Sequence, residues 1–479
     1  MIHFIEQKLS TLHSCFSRTA AYRWFVIIIV SMMLRADSLG ITSFIRALCL
    51  HPRKYEPLLH FFRSSVFSTS ALKKCWHNII CNYPNLHRLN GRVLILGDGT
   101  KVAKESCFMP GVKKLYQESE DSSKPQYIFG HMYGGIGTVI GNESKSFCIP
   151  LDMNIQDGLR ETAAWTNGDI SDSSSHVIQM IRNSHDIART FGSSYLVLDR
   201  YFLTVPALKE LDSLNKNSNC LDIITRAKTS CTAYELPPQN DSPQRGRPRK
   251  KGVAIRLNQL FAQRAADFKE AEVMMYGKKQ KVEYLCLNLL WGLKLYKEVR
   301  FVLVKYNQCT AIFVSTDLTM NPLFIIEAYA HRFKIECMFR EFKQQLHGFG
   351  YHFWSSKMPK LKKYKKKSEP DQLSQITDES HKKAILLTVG AIERFVLCAG
   401  IAMGIVQMIV LDPVMTKGIN KHRYLRTSCD NKVSEATVME YLRKNFFRLL
   451  SLNPHSDLNR FILSIQEPDF DEFDGQDSA

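Results

Sequence analysis

Two short apolar runs, each closed by an aspartate, constrain this chain more than anything else in it. Val93-Leu94-Ile95-Leu96-Gly97 ends at Asp98, and Tyr195-Leu196-Val197-Leu198 ends at Asp199. Short apolar runs without polar alternation are the pattern of strands buried on both faces. The acid that follows each run sits at the C-terminal end of its strand, where open α/β sheets place their chemistry.

A third acid lies in residues 329–343, YAHRFKIECMFREFK. Introduced by Asn321-Pro322, this stretch reads as the first half of one amphipathic helix running towards Gly348. At 100° per residue, Tyr329, Arg332, Glu336 and Lys343 fall within about 60° of one another. Ile335, Met338, Phe339 and Phe342 supply apolar surface on other sides. Taken alone, this reads more readily as a surface helix with ordinary charge pairs. Taken with the two strand-end aspartates, Glu336 completes a set of three carboxylates. Such a set suits two Mg²⁺ ions, with Mn²⁺ as a substitute, and in-line phosphoryl transfer.

These residues carry a family resemblance. Tyr329, Arg332, Glu336 and Lys343 match the Y-x2-R-x3-E-x6-K signature of the insertion-sequence-four group of DDE transposases. LGDGTKVAKES resembles that group's first-aspartate block, LVLDRYF its second, and STDLTMNPLFIIEAYAHRFKIE its third. The resemblance runs from roughly residue 30 to 410. It implies an RNase H-like core, Mg²⁺ and cut-and-paste movement of the protein's own element. It also implies phosphate contacts from Tyr329, Arg332 and Lys343. Arg200 is a weaker candidate, and Trp291 receives no role.

Composition agrees with a nucleic-acid partner. The net charge is +18 and the pI about 9.3, which favours a polyanion. Thirteen cysteines, an odd number with no C-x-x-C pair, argue against a disulfide framework and a zinc site. They read as reduced, cytosolic thiols. The apolar run Phe25 to Leu34 is too short to span a bilayer. Residues 384–411 are longer but are split by Glu393-Arg394, and read as a buried bundle helix.

The expected fold class is α/β: an RNase H-like catalytic core interrupted by a β-rich insertion, with helical N-terminal and C-terminal regions. Residues 1–90 alternate helical patterns with basic clusters and read as a DNA-binding module. Residues 91–226 carry three strands, a helix, the Asp199 strand and a further strand, the order that an RNase H-like core requires. Asp199 and Glu336 are 137 residues apart, too far for a simple connection, so 227–312 reads as a β-rich insertion folded as a separate lobe. It opens with Pro237-Pro238 and RGRPRKKG, an AT-hook-like run in which Arg245 and Arg247 suit the minor groove of A·T-rich DNA. Residues 313–367 return to the core and end in a basic arm, with seven lysines in 357–367. Residues 368–479 read as a helical C-terminal region with an acidic tail.

The expectation is therefore a transposase that cleaves and transfers strands at the ends of its own insertion sequence. It would act as a homodimer on double-stranded DNA, in the cytoplasm at the nucleoid, without a membrane. The alternative is a catalytically silent DNA-binding protein derived from one. Gly97 and Gly99, beside Asp98, are read as room for a phosphate or as a tight turn.

Overall fold

The computed structural model of the chain describes residues 1–117, 123, 125–142, 145–167, 175–238, 249–362, 372–419 and 433–466. Five helices come first: α1 (Ile2–Ser10), α2 (Thr19–Leu34), α3 (Ile41–Ala47), α4 (Tyr55–Arg63) and α5 (Thr69–Cys81). Strands β1 (Arg88–Leu89), β2 (Arg92–Ala103), β3 (Lys113–Tyr116), β4 (Tyr127–Gly141) and β5 (Ser146–Ile155) follow. Next are α6 (Arg160–Asn167), α7 (His176–Phe191), β6 (Ser194–Val197), α8 (Val205–Asn217) and β7 (Leu221–Arg226). The interval after β7 holds β8 (Thr232–Tyr234), β9 (Ala254–Arg256), the short α9 (Leu260–Gln263), β10 (Lys269–Met275), β11 (Lys278–Trp291), β12 (Lys297–Tyr306) and β13 (Cys309–Ser315). The chain closes with α10 (Pro322–Ala330), α11 (Phe333–Gln344), α12 (Glu379–Leu411), α13 (Pro413–Thr416), α14 (Glu435–Ser451) and α15 (Asp457–Gln466).

Among the described residues all the strands join one mixed sheet. Its order is β4-β2-β6-β7-β13-β12-β11-β8-β9, with β3 and β5 both on the outer side of β4. β2, β6 and β7 run parallel, whereas β4 is antiparallel to its neighbours. The expected strand runs are fully buried: Val93 to Leu96 and Tyr195 to Leu198 expose no measurable surface. α7 packs on one face of the central strands, and α10 and α11 pack on the other.

The interval after β7 is β-rich and has a hydrophobic cluster of its own, including Leu257, Leu285, Phe301 and Val314. It is nevertheless hydrogen-bonded into the central sheet, with Phe313, Val314 and Ser315 of β13 opposite Arg226, Thr225 and Ile224 of β7. β13 covers a parallel edge that would otherwise present unpaired backbone groups. Arg245 and Arg247 lie outside the described residues, as do residues 363–367 of the lysine-rich arm and nearly all of the acidic tail.

One expectation needs correcting. The single helix over 329–343 is two helices, parted at His331 and Arg332. The amides of His331, Arg332, Lys334 and Ile335 bond three residues back rather than four, a tightened 3₁₀-like turn.

Helices from both ends of the chain hold α11 in place. The buried Arg35, just after α2, donates Nε and Nη2 to the Leu346 carbonyl at 3.1 and 3.0 Å. Arg443 of α14 donates Nη2 to the carbonyls of Arg35 at 2.8 Å and Gln345 at 3.3 Å. The two guanidiniums thus satisfy orphan carbonyls at the C-terminal ends of α2 and α11, where cations are favoured. α12 is the one described helix long and apolar enough to cross a membrane, yet 89% of its most apolar window is buried within the protein.

Trp76 of α5 connects three regions. Its ring lies under Gly404 of α12, where a Cβ would come within 2.3 Å of it, and its Nε1 donates to the Pro150 carbonyl of β5 at 2.9 Å. Trp76→Ala should lower unfolding stability by about 3–5 kcal/mol, since the cavity cannot collapse onto a helix already in contact. Denaturant titration followed by circular dichroism checks this, and a loss under about 1 kcal/mol would contradict it.

Candidate active site

The register of the central strands sets the two aspartates side by side. Leu96 of β2 pairs with Val197 of β6, and two residues further along each parallel strand stand Asp98 and Asp199. Asp98 is opposite Gly135 of β4. A Cβ on Gly135 would come within 2.5 Å of the Phe339 ring, so this glycine lets α11 settle directly over β4 beside Asp98. Glu336, on the same helix, is thereby carried to the sheet.

Arg332 joins the parts. Its Nη2 donates to Asp98 Oδ2 at 2.7 Å, and its Nη1 donates to Glu336 Oε1. The guanidinium side chain is 15% exposed, against 20% for Asp98 and 44% for Glu336. Asp199 lies near enough to act electrostatically on Asp98, Arg332 and Tyr329. Its Oδ1 accepts from the Arg200 amide at 2.7 Å, and its carbonyl accepts from Thr225 Oγ1 at 2.9 Å.

The electrostatics follow from this crowding. Burial pushes the Asp98 carboxyl up to about 6; Arg332 and the Gly99 amide oppose the rise, while Asp199 and Glu336 add to it. Burial tends to lower the Arg332 guanidinium, but the three acids more than offset this and hold it above its usual value. The Tyr329 phenol is pushed up to about 12, chiefly by burial, and so stays protonated. Its ring packs on Phe313 at 4.7 Å. Arg332 Nε is buried and makes no hydrogen bond, which leaves one donor of the fork open.

Lys343 Nζ donates to Thr100 Oγ1 at 2.6 Å and to the Lys101 carbonyl at 2.9 Å, so it ties α11 to β2. The Arg200 side chain is exposed. Trp291 ends β11 and packs against the second hydrophobic cluster. Gly97 does not open a path for phosphate: a Cβ there would strike Leu198 at 2.8 Å and Met180 at 2.9 Å. Its missing side chain serves the packing of α7 under the sheet. A Cβ on Gly99 would meet the end of Met132 at 2.5 Å.

Asp98 and Glu336 share the Arg332 guanidinium and Asp199 acts on it only electrostatically, so the three carboxylates are not drawn within 4.8 Å of one another; their oxygens are of the type a hard divalent cation takes.

Residues 11–281 match the family described as DDE superfamily endonuclease. This chain belongs to the DDE superfamily endonucleases. The match includes Asp98 and Asp199 and stops short of Glu336. No curated protein matches the chain. Membership makes this a transposase-like nuclease acting on DNA, in a family that typically uses divalent metal ions.

Sequence reasoning passed over Arg226. It ends β7, two residues beyond Ile224, just as Asp199 lies two beyond Val197, and those two residues pair. Its charge reaches Tyr329. A basic residue closing a third apolar strand was the available signal.

A carboxyl raised in the folded state binds its proton more tightly there than in the unfolded chain. Its stabilising contribution is therefore complete below the ordinary carboxylate range and is lost as pH rises through about 6. Without divalent ions, Asp98→Asn should melt at a higher temperature than the parent near neutral pH, and the difference should close below about pH 4. Scanning calorimetry across pH checks this; a lower melting temperature for the variant near neutral pH would contradict it.

Proposed function

We propose that this DDE superfamily endonuclease is a transposase of the insertion-sequence-four type. It would cleave DNA at the ends of its own element and transfer the strands to a target by a cut-and-paste route. The observation that carries this reading is Arg332 bonded at once to Asp98 on the sheet and to Glu336 on the helix. Residues 234 positions apart would have little reason to converge as a decorated surface helix.

Asp98, Asp199 and Glu336 would hold the metal, proposed as two Mg²⁺ with Mn²⁺ as a substitute. When bound, it supplies Lewis-acid stabilisation at the scissile phosphate and an activated water or 3′-hydroxyl. The chain's own groups then bind and orient the DNA. Arg332 yields the carboxylates and turns its planar fork, with the open Nε, towards a phosphate. The protonated Tyr329 phenol donates a further hydrogen bond, and Arg226 adds charge beside it. Lys343 adds charge while fixing α11 to β2.

The strand order β5-β4-β2-β6-β7 supports an RNase H-like core built from 91–226 and 313–367. On this reading 227–312 is its β-rich insertion, with Arg245 and Arg247 reaching the minor groove. Residues 1–90 form the helical DNA-binding module and 368–479 the C-terminal region. The active form is a homodimer on double-stranded DNA in the cytoplasm.

Glu336→Gln provides the test. It keeps size and packing but removes one anionic ligand. Binding to DNA carrying the ends of the element should be unchanged in a gel-shift assay. Mg²⁺-dependent cleavage should fall by several orders of magnitude. Near-normal cleavage by the variant would overturn the assignment. Lys343→Ala should instead weaken binding and flatten its salt dependence, because one positive charge near phosphate is lost.

A further inference from the structure

A second group of ligating side chains lies one residue from Arg332 and plays no part in the chemistry above. Glu327 and His331 are four residues apart on α10 and its C-terminal turn, so they project from one face. His87 comes from the segment before β1, where its amide donates to the Val139 carbonyl of β4 at 2.9 Å. The ligand atoms of His87, Glu327 and His331 all lie within 4.8 Å of one another. The two imidazole rings are 4.7 Å apart, centroid to centroid.

We propose that His87, Glu327 and His331 form a transition-metal site, filled by Zn²⁺, that clamps the α10–α11 turn to the segment preceding β1. Two imidazole nitrogens and one carboxylate oxygen are a borderline donor set of the kind Zn²⁺ takes, with water in the fourth position. Such a set disfavours Mg²⁺, which prefers oxygen ligands alone. The site is therefore chemically separate from the carboxylates at Asp98.

Three features support it. His87 Nε2 is buried with no hydrogen-bond partner, an orphan that a metal would satisfy. The two imidazole rings stand 4.7 Å apart, centroid to centroid, beside the Glu327 carboxylate, so three donors meet at one place. Tetrahedral ligands on Zn²⁺ stand about 3.3 Å apart, so atoms already within 4.8 Å of one another need to close by about 1.5 Å at most. One neighbour opposes it. The Lys334 ammonium acts on both imidazoles while donating to the Ser146 carbonyl at 3.1 Å. Its charge weakens cation binding, and the Glu327 carboxylate offsets it.

Cysteine spacing disfavours a thiolate zinc site, and this site uses no cysteine. A metal here would fix the turn from which Arg332 departs, and with it the pose of α11. That is a positioning role with no contact to DNA.

The test uses the full chain, stripped with a chelator and held in excess Mg²⁺ without DNA. Zn²⁺ is then titrated against a chromophoric competitor. One equivalent should bind and raise the melting temperature. His87→Ala and His331→Ala should each weaken binding by about tenfold or more and abolish the thermal shift. Glu327→Gln, which preserves size, should weaken it in the same direction should either alanine variant fail to fold. Co²⁺ in place of Zn²⁺ should show a ligand-field band without a thiolate charge-transfer band. Absent stoichiometric binding, unchanged affinity in either folded histidine variant or in Glu327→Gln, or a thiolate band would each overturn the proposal.

Discussion

One guanidinium holds the candidate site together. Arg332 bonds to an acid from the middle of the sheet and to another from the helix above it. Without a cation between them, Asp98, Asp199 and Glu336 would repel one another in a partly desolvated cleft, where charge interactions are stronger than in water. Much of the surrounding structure serves to deliver that side chain. Gly135 removes a Cβ so that Phe339 can sit on β4. Lys343 pins the far end of α11 to β2. Arg35 and Arg443 close off the carbonyls where the helix ends.

The aspartates were legible because buried parallel strands leave a plain trace in sequence, an unbroken apolar run with a polar stop. Once two such runs pair in parallel, equal offsets from the last paired residues bring the acids together. Glu336 was legible through the resemblance and through helical spacing. The break at His331 was not, because a 3₁₀-like turn of a few residues barely disturbs a 3.6-residue period. The apolar runs after β7 were readable as strands. Their attachment to β7 was not, since edge pairing depends on two distant segments and leaves no local pattern. Gly97 shows a different limit. A glycine beside an acid looks the same in sequence whether the space it leaves admits a ligand or a methionine.

His87, Glu327 and His331 show how spacing and distance divide the problem. The Glu-x3-His pair lies in plain view on one helix. The third member is 240 residues away from Glu327 and could be placed only by the bridge that seats its segment on β4. Arg226 falls between these cases, with a strand-end position visible in sequence but no motif to single it out.

α12 occupies the interior against β5, α2 and α14, yet it follows all three acids in the chain. A nascent chain that has already displayed all three acids still lacks the element that fills its core, and leaves the apolar faces of α2 and β5 uncovered. The sheet that carries the acids is thus buried only after α12 has followed them into the fold.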